Sequence, residues 1–147
     1  MREFGQHLTI DASLCNRKKL VSQSMVYDIL NHLPAKLNMN KMILPYVVKW
    51  LDPGATIEGI SGFVMIAESH ISIHTFPEKD YVFIDVFSCK AFDVENAVKL
   101  LVEAFESKKF TKKIVKRGLD FPRSTLTNMY DVPSSETPHQ EIQLAAQ

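Results

Sequence analysis

The chain is poor in the residues that many functional classes require. Its 147 residues include two cysteines, five glycines and one tryptophan, and its 17 basic residues cancel 17 acidic ones. Two thiols are too few for the disulfide framework of a small secreted domain. Cys15 and Cys89 are also unlike any CxxC spacing of a zinc site. With no net charge there is no global field to draw in nucleic acid or an anionic membrane. The basic run SKKFTKKIVKR, residues 107 to 117, reads as a solvated helix end followed by an edge strand whose lysines discourage aggregation. No apolar run approaches the ~18 residues of a membrane span, and the opening MREFGQHLTI lacks the apolar core of a signal peptide. The expectation is a cytoplasmic protein with reduced thiols. A glycine-rich loop able to cradle phosphate is also missing.

What is present is an ordinary globular composition, 46% hydrophobic and 23% charged, at a length that suits one domain. That domain is expected over residues 1–132, with the polar, proline- and serine-containing stretch 133–147 as a mobile tail. QHLTIDA, residues 6 to 12, alternates as a half-buried strand does. From the cap Asn16, Leu20, Val21, Met25, Ile29, Leu30 and Leu33 recur at helical steps, predicting one helix of about four turns that ends at Pro34. KMILPYVVKWL at 41 to 51 predicts a strand that Pro45 confines to an edge or a bulge.

ISGFVMIA at 60 to 67 is almost continuously apolar, which predicts a strand buried on both faces and running straight on into AESHISIHTFPEK. After a loop at PEKD comes the strand YVFIDVFSC, ending at Cys89, and then a helix capped by Asp93 with Val94, Ala97, Val98, Leu101, Ala104 and Phe105 on one stripe. KKIVKR at 112 to 117 is the last strand. The expected architecture is α+β: a two-layer sandwich of a mostly antiparallel sheet with two helices on one face. The sheet's other face lacks a helix cover and invites a second copy, so a homodimer through that side is expected.

If PEKD is a four-residue hairpin loop, Phe76 faces Tyr81, Ile73 faces Ile84, Ile71 faces Val86, Ser69 faces Ser88 and Glu68 faces Cys89. One face then collects Ser69, Ile71, Ile73, Val82, Ile84 and Val86. The other collects Glu68, His70, Ser72, His74, Phe83, Asp85, Phe87 and Cys89. The bland reading makes these polar groups a solvated sheet face and Cys89 a small buried hydrophobe. A zinc reading of His70, His74 and Cys89 suffers from geometry, because the two histidines lie about 13 Å apart along a straight strand.

ESHISIHTFPE at 68 to 78, with GISG at 59 to 62 ahead of it and DVFSC at 85 to 89 behind, resembles the prokaryotic S-adenosylmethionine decarboxylase proenzymes. GQHLTIDASLC at 5 to 15 is similar to the opening of that family, and the likeness runs over residues 5–118. It implies a proenzyme that cuts itself between Glu68 and Ser69, giving a β chain of residues 1–68 and an α chain of residues 69–147. Ser69 would become a pyruvoyl group that takes the substrate amine as a Schiff base and withdraws electrons as carbon dioxide leaves, with no metal. By the same resemblance Ser61 and His74 serve processing, His74 also moves protons, and Cys89 is the thiol that returns a proton to the substrate carbon. The implied product is the aminopropyl donor of polyamine (spermidine) synthesis.

Ser69 and His74 stand five residues apart, about 16 Å on a straight strand, and on opposite faces. They are therefore expected to meet only across a dimer. Phe76, Glu78 and Glu58 are the candidate substrate contacts. ATIEGISG at 55 to 62 departs from the family pattern, with Ala55 where an aromatic stacks on adenine and Ile57 where a proline stands; Trp50 or Tyr46 could take over the stacking. Two other readings follow: an arginine or ornithine decarboxylase using Glu58 against a basic side chain, or a non-catalytic homologue acting as a partner protein.

Overall fold

A computed structural model describes residues 3–122; the expected tail at 133–147 lies outside them. Its strands are β1 (Gly5–Ser13), β2 (Tyr46–Trp50), β3 (Gly59–Ile66), β4 (Ser69–Phe76), β5 (Tyr81–Ser88) and β6 (Lys109–Arg117). Its helices are α1 (Arg17–Leu20), α2 (Gln23–Lys36) and α3 (Val94–Ala104). The strands form one sheet in the order β2-β3-β4-β5-β1-β6, antiparallel at every pairing. This is the expected α+β sandwich. Leu8, Ile10, Ile71, Ile73, Ile84 and Val86 of the sheet share one core with Val26, Leu30 and Leu33 of α2 and Ala97, Val98 and Leu101 of α3. Among the described residues, no helix is long and apolar enough to cross a membrane.

Four expectations are corrected. The helix foreseen from Asn16 to Pro34 is two helices. Asn16 caps α1 through Lys18 N–H, and Ser22 caps α2, its Oγ accepting from Met25 N–H at 3.3 Å. The break follows from the sheet: buried Thr75 donates its hydroxyl to Leu20 C=O at 2.8 Å, drawing on a carbonyl at the α1 end. Pro34 lies inside α2, which runs on to Lys36.

The strand foreseen from 60 through the seventies is the hairpin β3–β4, turning at Ala67 and Glu68. β3 is also buried on one face only: Ile60, Val64 and Ile66 meet the helices while Phe63 and Met65 stand exposed on the other side. The segment at 41–51 is interrupted at Pro45 as expected of an edge. Tyr46 faces Phe63 but Lys41 faces Ile66, so the edge carries two residues more than its neighbour between those points.

Small and hydroxyl residues of the quoted motifs place the hairpin. A Cβ on Gly62 would come within 2.6 Å of Leu30 Cδ1, and one on Gly59 within 2.4 Å of Thr75 C=O, so each glycine permits a close approach. Thr75 Oγ1 also accepts from Ile60 N–H at 2.8 Å, tying β3, β4 and α1 at one buried atom. Thr75→Val keeps the shape and strands both partners. It is expected to cost about 2–6 kcal/mol at ~1–3 per orphaned group, read as a lower urea midpoint with an unchanged slope.

Candidate active site

The β4–β5 hairpin has the predicted register, Phe76 opposite Tyr81 through Ser69 opposite Ser88. A 3₁₀ turn at Pro77–Lys79 and a left-handed Asp80 (φ 50°) close it. This register brings Cys89 to the bond after Glu68: Cys89 N–H donates to Glu68 C=O at 2.9 Å. The carbonyl of the Glu68–Ser69 peptide bond therefore already has a backbone donor of the kind that stabilises a developing oxyanion.

The turn before that bond is unusual. Two-residue hairpins normally have positive φ at their central residues and favour glycine or asparagine there. Here those residues are Ala67 and Glu68, and neither has a positive φ. The positive value falls on the next residue, Ser69, at 150°. A side-chain-bearing residue in that half of the map costs on the order of 1–3 kcal/mol, and surrounding contacts must hold it there.

The contacts are visible. The Glu68 side chain is buried, 4% exposed, and its carboxylate accepts from Asn40 N–H and Asn40 Nδ2–H, both at 3.0 Å. Asn40 C=O accepts from Ala67 N–H at 2.8 Å. On the other flank Ser88 Oγ donates to Lys90 C=O at 2.7 Å and accepts from Lys90 N–H at 3.0 Å, bending the chain just after β5. Burial pushes the Cys89 thiol above its ordinary pKa; its own backbone N–H opposes this and the Glu68 charge adds to it, so Cys89 stays a protonated donor.

Ser61 and His74 face each other across β3 and β4, with Ser61 Oγ 3.0 Å from His74 Nδ1. The pair sits at the far end of β4 from Ser69, about 16 Å away along the strand. Next to it lies an aromatic group, Phe76 on Phe83 at 5.6 Å and Tyr81 on Phe83 at 4.9 Å between ring centroids. Glu78 accepts from the Thr56 N–H at 2.6 Å and the Thr56 hydroxyl at 2.7 Å, bonds that hold its carboxyl below the usual range and pin the loop containing Ala55 against the 3₁₀ turn. Glu58 lies 3.9 Å from Lys49 across the β2–β3 hairpin, so this acid already has a cationic partner. The sheet thus carries two half-sites. One end of β4 has the Glu68–Ser69 bond and the Cys89 thiol, and the other has the histidine, hydroxyl and rings.

Between them on the open face is a cluster that sequence reasoning missed. His7 Nε2 lies 2.9 Å from Asp85 Oδ1, and the Arg117 guanidinium lies 4.7 Å over the Phe87 ring. His70, given no role from sequence, is stacked on Phe63 at 5.5 Å and edge-on to Phe87 at 5.7 Å. Burial, with His7 beside it, lowers its pKa. Ser72 stands opposite Phe63 and Asp85 in the register. The strand pairing that assembles the cluster spans 110 positions from His7 to Arg117, which no local motif reveals. Among the described residues, no group of three or more His, Cys, Asp and Glu side chains is placed to hold a metal.

Comparison with known proteins identifies a family. The profile of the S-adenosylmethionine decarboxylase family matches residues 6–118. The chain is 33% identical over 129 residues to the S-adenosylmethionine decarboxylase proenzyme of Pyrococcus furiosus, covering 87% of this chain and 88% of that one. It is 36% identical over 119 residues to the proenzyme of the same name from Clostridium botulinum, covering 80% and 97%. The crystal structure of the adenosylmethionine decarboxylase from Aquifex aeolicus superposes with a TM-score of 0.70 over 84% of this chain and 98% of that one, at 24% identity, a likeness of fold.

Proposed function

The chain belongs to the S-adenosylmethionine decarboxylase family, and from that premise we propose that it cuts itself between Glu68 and Ser69 and then decarboxylates S-adenosylmethionine. The observation that carries the proposal is the strained Ser69 beside a carbonyl already bonded to Cys89 N–H. Ser69 Oγ attacks the Glu68 carbonyl carbon, the bond to the Ser69 nitrogen breaks, and that nitrogen takes up the proton the hydroxyl gives up. The attack relieves the strain at Ser69, and the Cys89 N–H meets the charge that gathers on the carbonyl oxygen. Loss of the Ser69 Cα proton then expels the Glu68 carboxylate and severs the chain, and water replaces the nitrogen of the dehydroalanine, releasing ammonia.

The group left at residue 69, a pyruvoyl, supplies an electron sink for the carbanion that decarboxylation creates. The residues around it suit that task. Cys89, kept protonated by burial and by Glu68, returns a proton to the substrate carbon. His74, its ring oriented by Ser61, serves as the base. Because these half-sites stand at opposite ends of β4, each works with the other half of a second copy, and the active sites form at a homodimer interface. The exposed aromatic side of the sheet supports this: Tyr46 is 72% and Trp50 64% exposed there, beside Phe63, Met65 and Phe83.

S-adenosylmethionine is favoured over arginine or ornithine because the proenzymes to which the chain is 33% and 36% identical are named for it, and Glu58, the acid that would receive a basic side chain, stands in a half-exposed contact with Lys49. The Phe76, Tyr81 and Phe83 rings offer a stacking surface close to the loop that carries Ala55. The product would serve as an aminopropyl donor for polyamine synthesis. Intact-mass analysis of the purified protein is expected to find chains of residues 1–68 and 69–147, the second blocked at its N-terminus. Carbon dioxide release from S-adenosylmethionine is expected to exceed that from arginine or ornithine by at least about 100-fold. An uncut chain would overturn the self-cleavage, and the reverse preference would overturn the substrate.

A further inference from the structure

We propose that Asn40 is a positioning residue for the self-cleavage, a role that rests on the reading just given. Its three hydrogen bonds all go to the two central residues of the β3–β4 turn: backbone N–H and side-chain Nδ2–H to the Glu68 carboxylate, and C=O to Ala67 N–H. Neither Ala67 nor Glu68 prefers turn geometry, and the strained φ of Ser69 would relax if the hairpin opened. The Asn40 clamp opposes that opening. Its grip is on Glu68, the residue whose carbonyl carbon is attacked, while Cys89 N–H holds that carbonyl from the other side. The two flanks together fix the plane of the scissile peptide bond against the Ser69 hydroxyl.

The remainder of the segment is anchored independently. Lys41 pairs with Ile66, Met42 N–H donates to Met65 C=O at 3.0 Å, and Met39 is in the core. Asn40 itself is exposed, and its backbone and side-chain amide groups bond to the turn. Its side chain therefore contributes little packing, and its removal loosens the turn without opening the core. Once the bond is cut, Glu68 is the last residue of the β chain, and the same hydrogen bonds keep that end seated beside Cys89.

The test is the rate of self-cutting in a pulse-labelled cell-free synthesis of the full chain, followed by gel. Asn40→Ala removes one charge-assisted donor and is expected to slow cutting by roughly 10-fold. Asn40→Asp sets two carboxylates face to face and is expected to slow it by roughly 100-fold. The double variant Asn40→Asp with Glu68→Gln rebuilds the amide–carboxylate pair with the roles exchanged. It is expected to cut at least about 10-fold faster than Asn40→Asp alone, a recovery that a merely structural residue would not show. The melting temperature of Asn40→Ala, measured on a Ser69→Ala background so that every chain is uncut, is expected to fall by only a few degrees below that of Ser69→Ala, as loss of one hydrogen bond allows. Wild-type cutting rates in both single variants, or a double variant no faster than Asn40→Asp, would overturn the clamp. An uncut wild-type chain would instead overturn the self-cleavage on which it rests.

Discussion

Ser69→Ala is expected to leave a single uncut polypeptide whose decarboxylation lies at background, a loss on the order of 10⁶-fold. On the proposed function, two contributions vanish with one oxygen: the nucleophile that would break the Glu68–Ser69 bond, and the precursor of the electron sink. Neither has a substitute nearby. Cys89 faces the same bond, yet burial and the Glu68 charge keep its thiol protonated and a poor nucleophile. The fold is expected to survive, because alanine keeps the Cβ and the backbone bonds of residue 69 remain in the ladder with Ile66 and Ser88. Intact mass and carbon dioxide release check the chemistry. Comparing Ser69→Ala with Ser69→Gly checks the strain, since glycine accepts a φ of 150° freely. After subtracting glycine's entropic penalty, Ser69→Gly is expected to be the more stable by about 1 kcal/mol. An alanine variant as stable as the glycine one would remove strain as a driving force.

The second large effect is expected from His74→Ala, which should slow processing and turnover by about 10²- to 10⁴-fold, the range for loss of a positioned acid or base. The chain that loses this histidine is predicted not to be the chain that loses function at its own Ser69. Mixing Ser69→Ala subunits with His74→Ala subunits is therefore informative. Random exchange makes half of the dimers mixed, and each mixed dimer has one site with both groups, so about a quarter of the wild-type sites should return. No restored cutting or activity in verified mixed dimers would rule out shared sites, as would a His74→Ala homodimer that cuts at the normal rate. Ser61→Ala should be milder, since Ser61 orients the His74 ring at 3.0 Å but is not itself the base.

Much of the fold was legible because its periodicities are clean. Leu8, Ile10 and Ala12 alternate with polar residues and are buried as that alternation requires. The PEKD loop set the β4–β5 register because loop length dictates pairing in a hairpin. Where reading failed, local pattern competed with distant contacts. The α1–α2 break was hidden because Leu20 and Val21 continue the apolar steps, whereas its cause, Thr75 bonded to Leu20 C=O, lies 55 residues away. The β3–β4 turn was hidden because Ala67 and Glu68 carry no turn signal, and Asn40, which holds them, belongs to another segment.

The proposed chemistry is legible in local pattern. The order of Glu68, Ser69, His74 and Cys89 along the β4–β5 hairpin and its two flanks, and the register of that hairpin, follow from side-chain alternation and loop length, which are local properties. How the Glu68–Ser69 bond would be made ready for attack depends instead on the assembled sheet. The strain at Ser69, the donor on Glu68 C=O and the clamp on its carboxylate come from three segments brought together by the sheet. A strained backbone persists only where contacts from elsewhere hold it, and those contacts are fixed by packing, not by the residues that bear the strain.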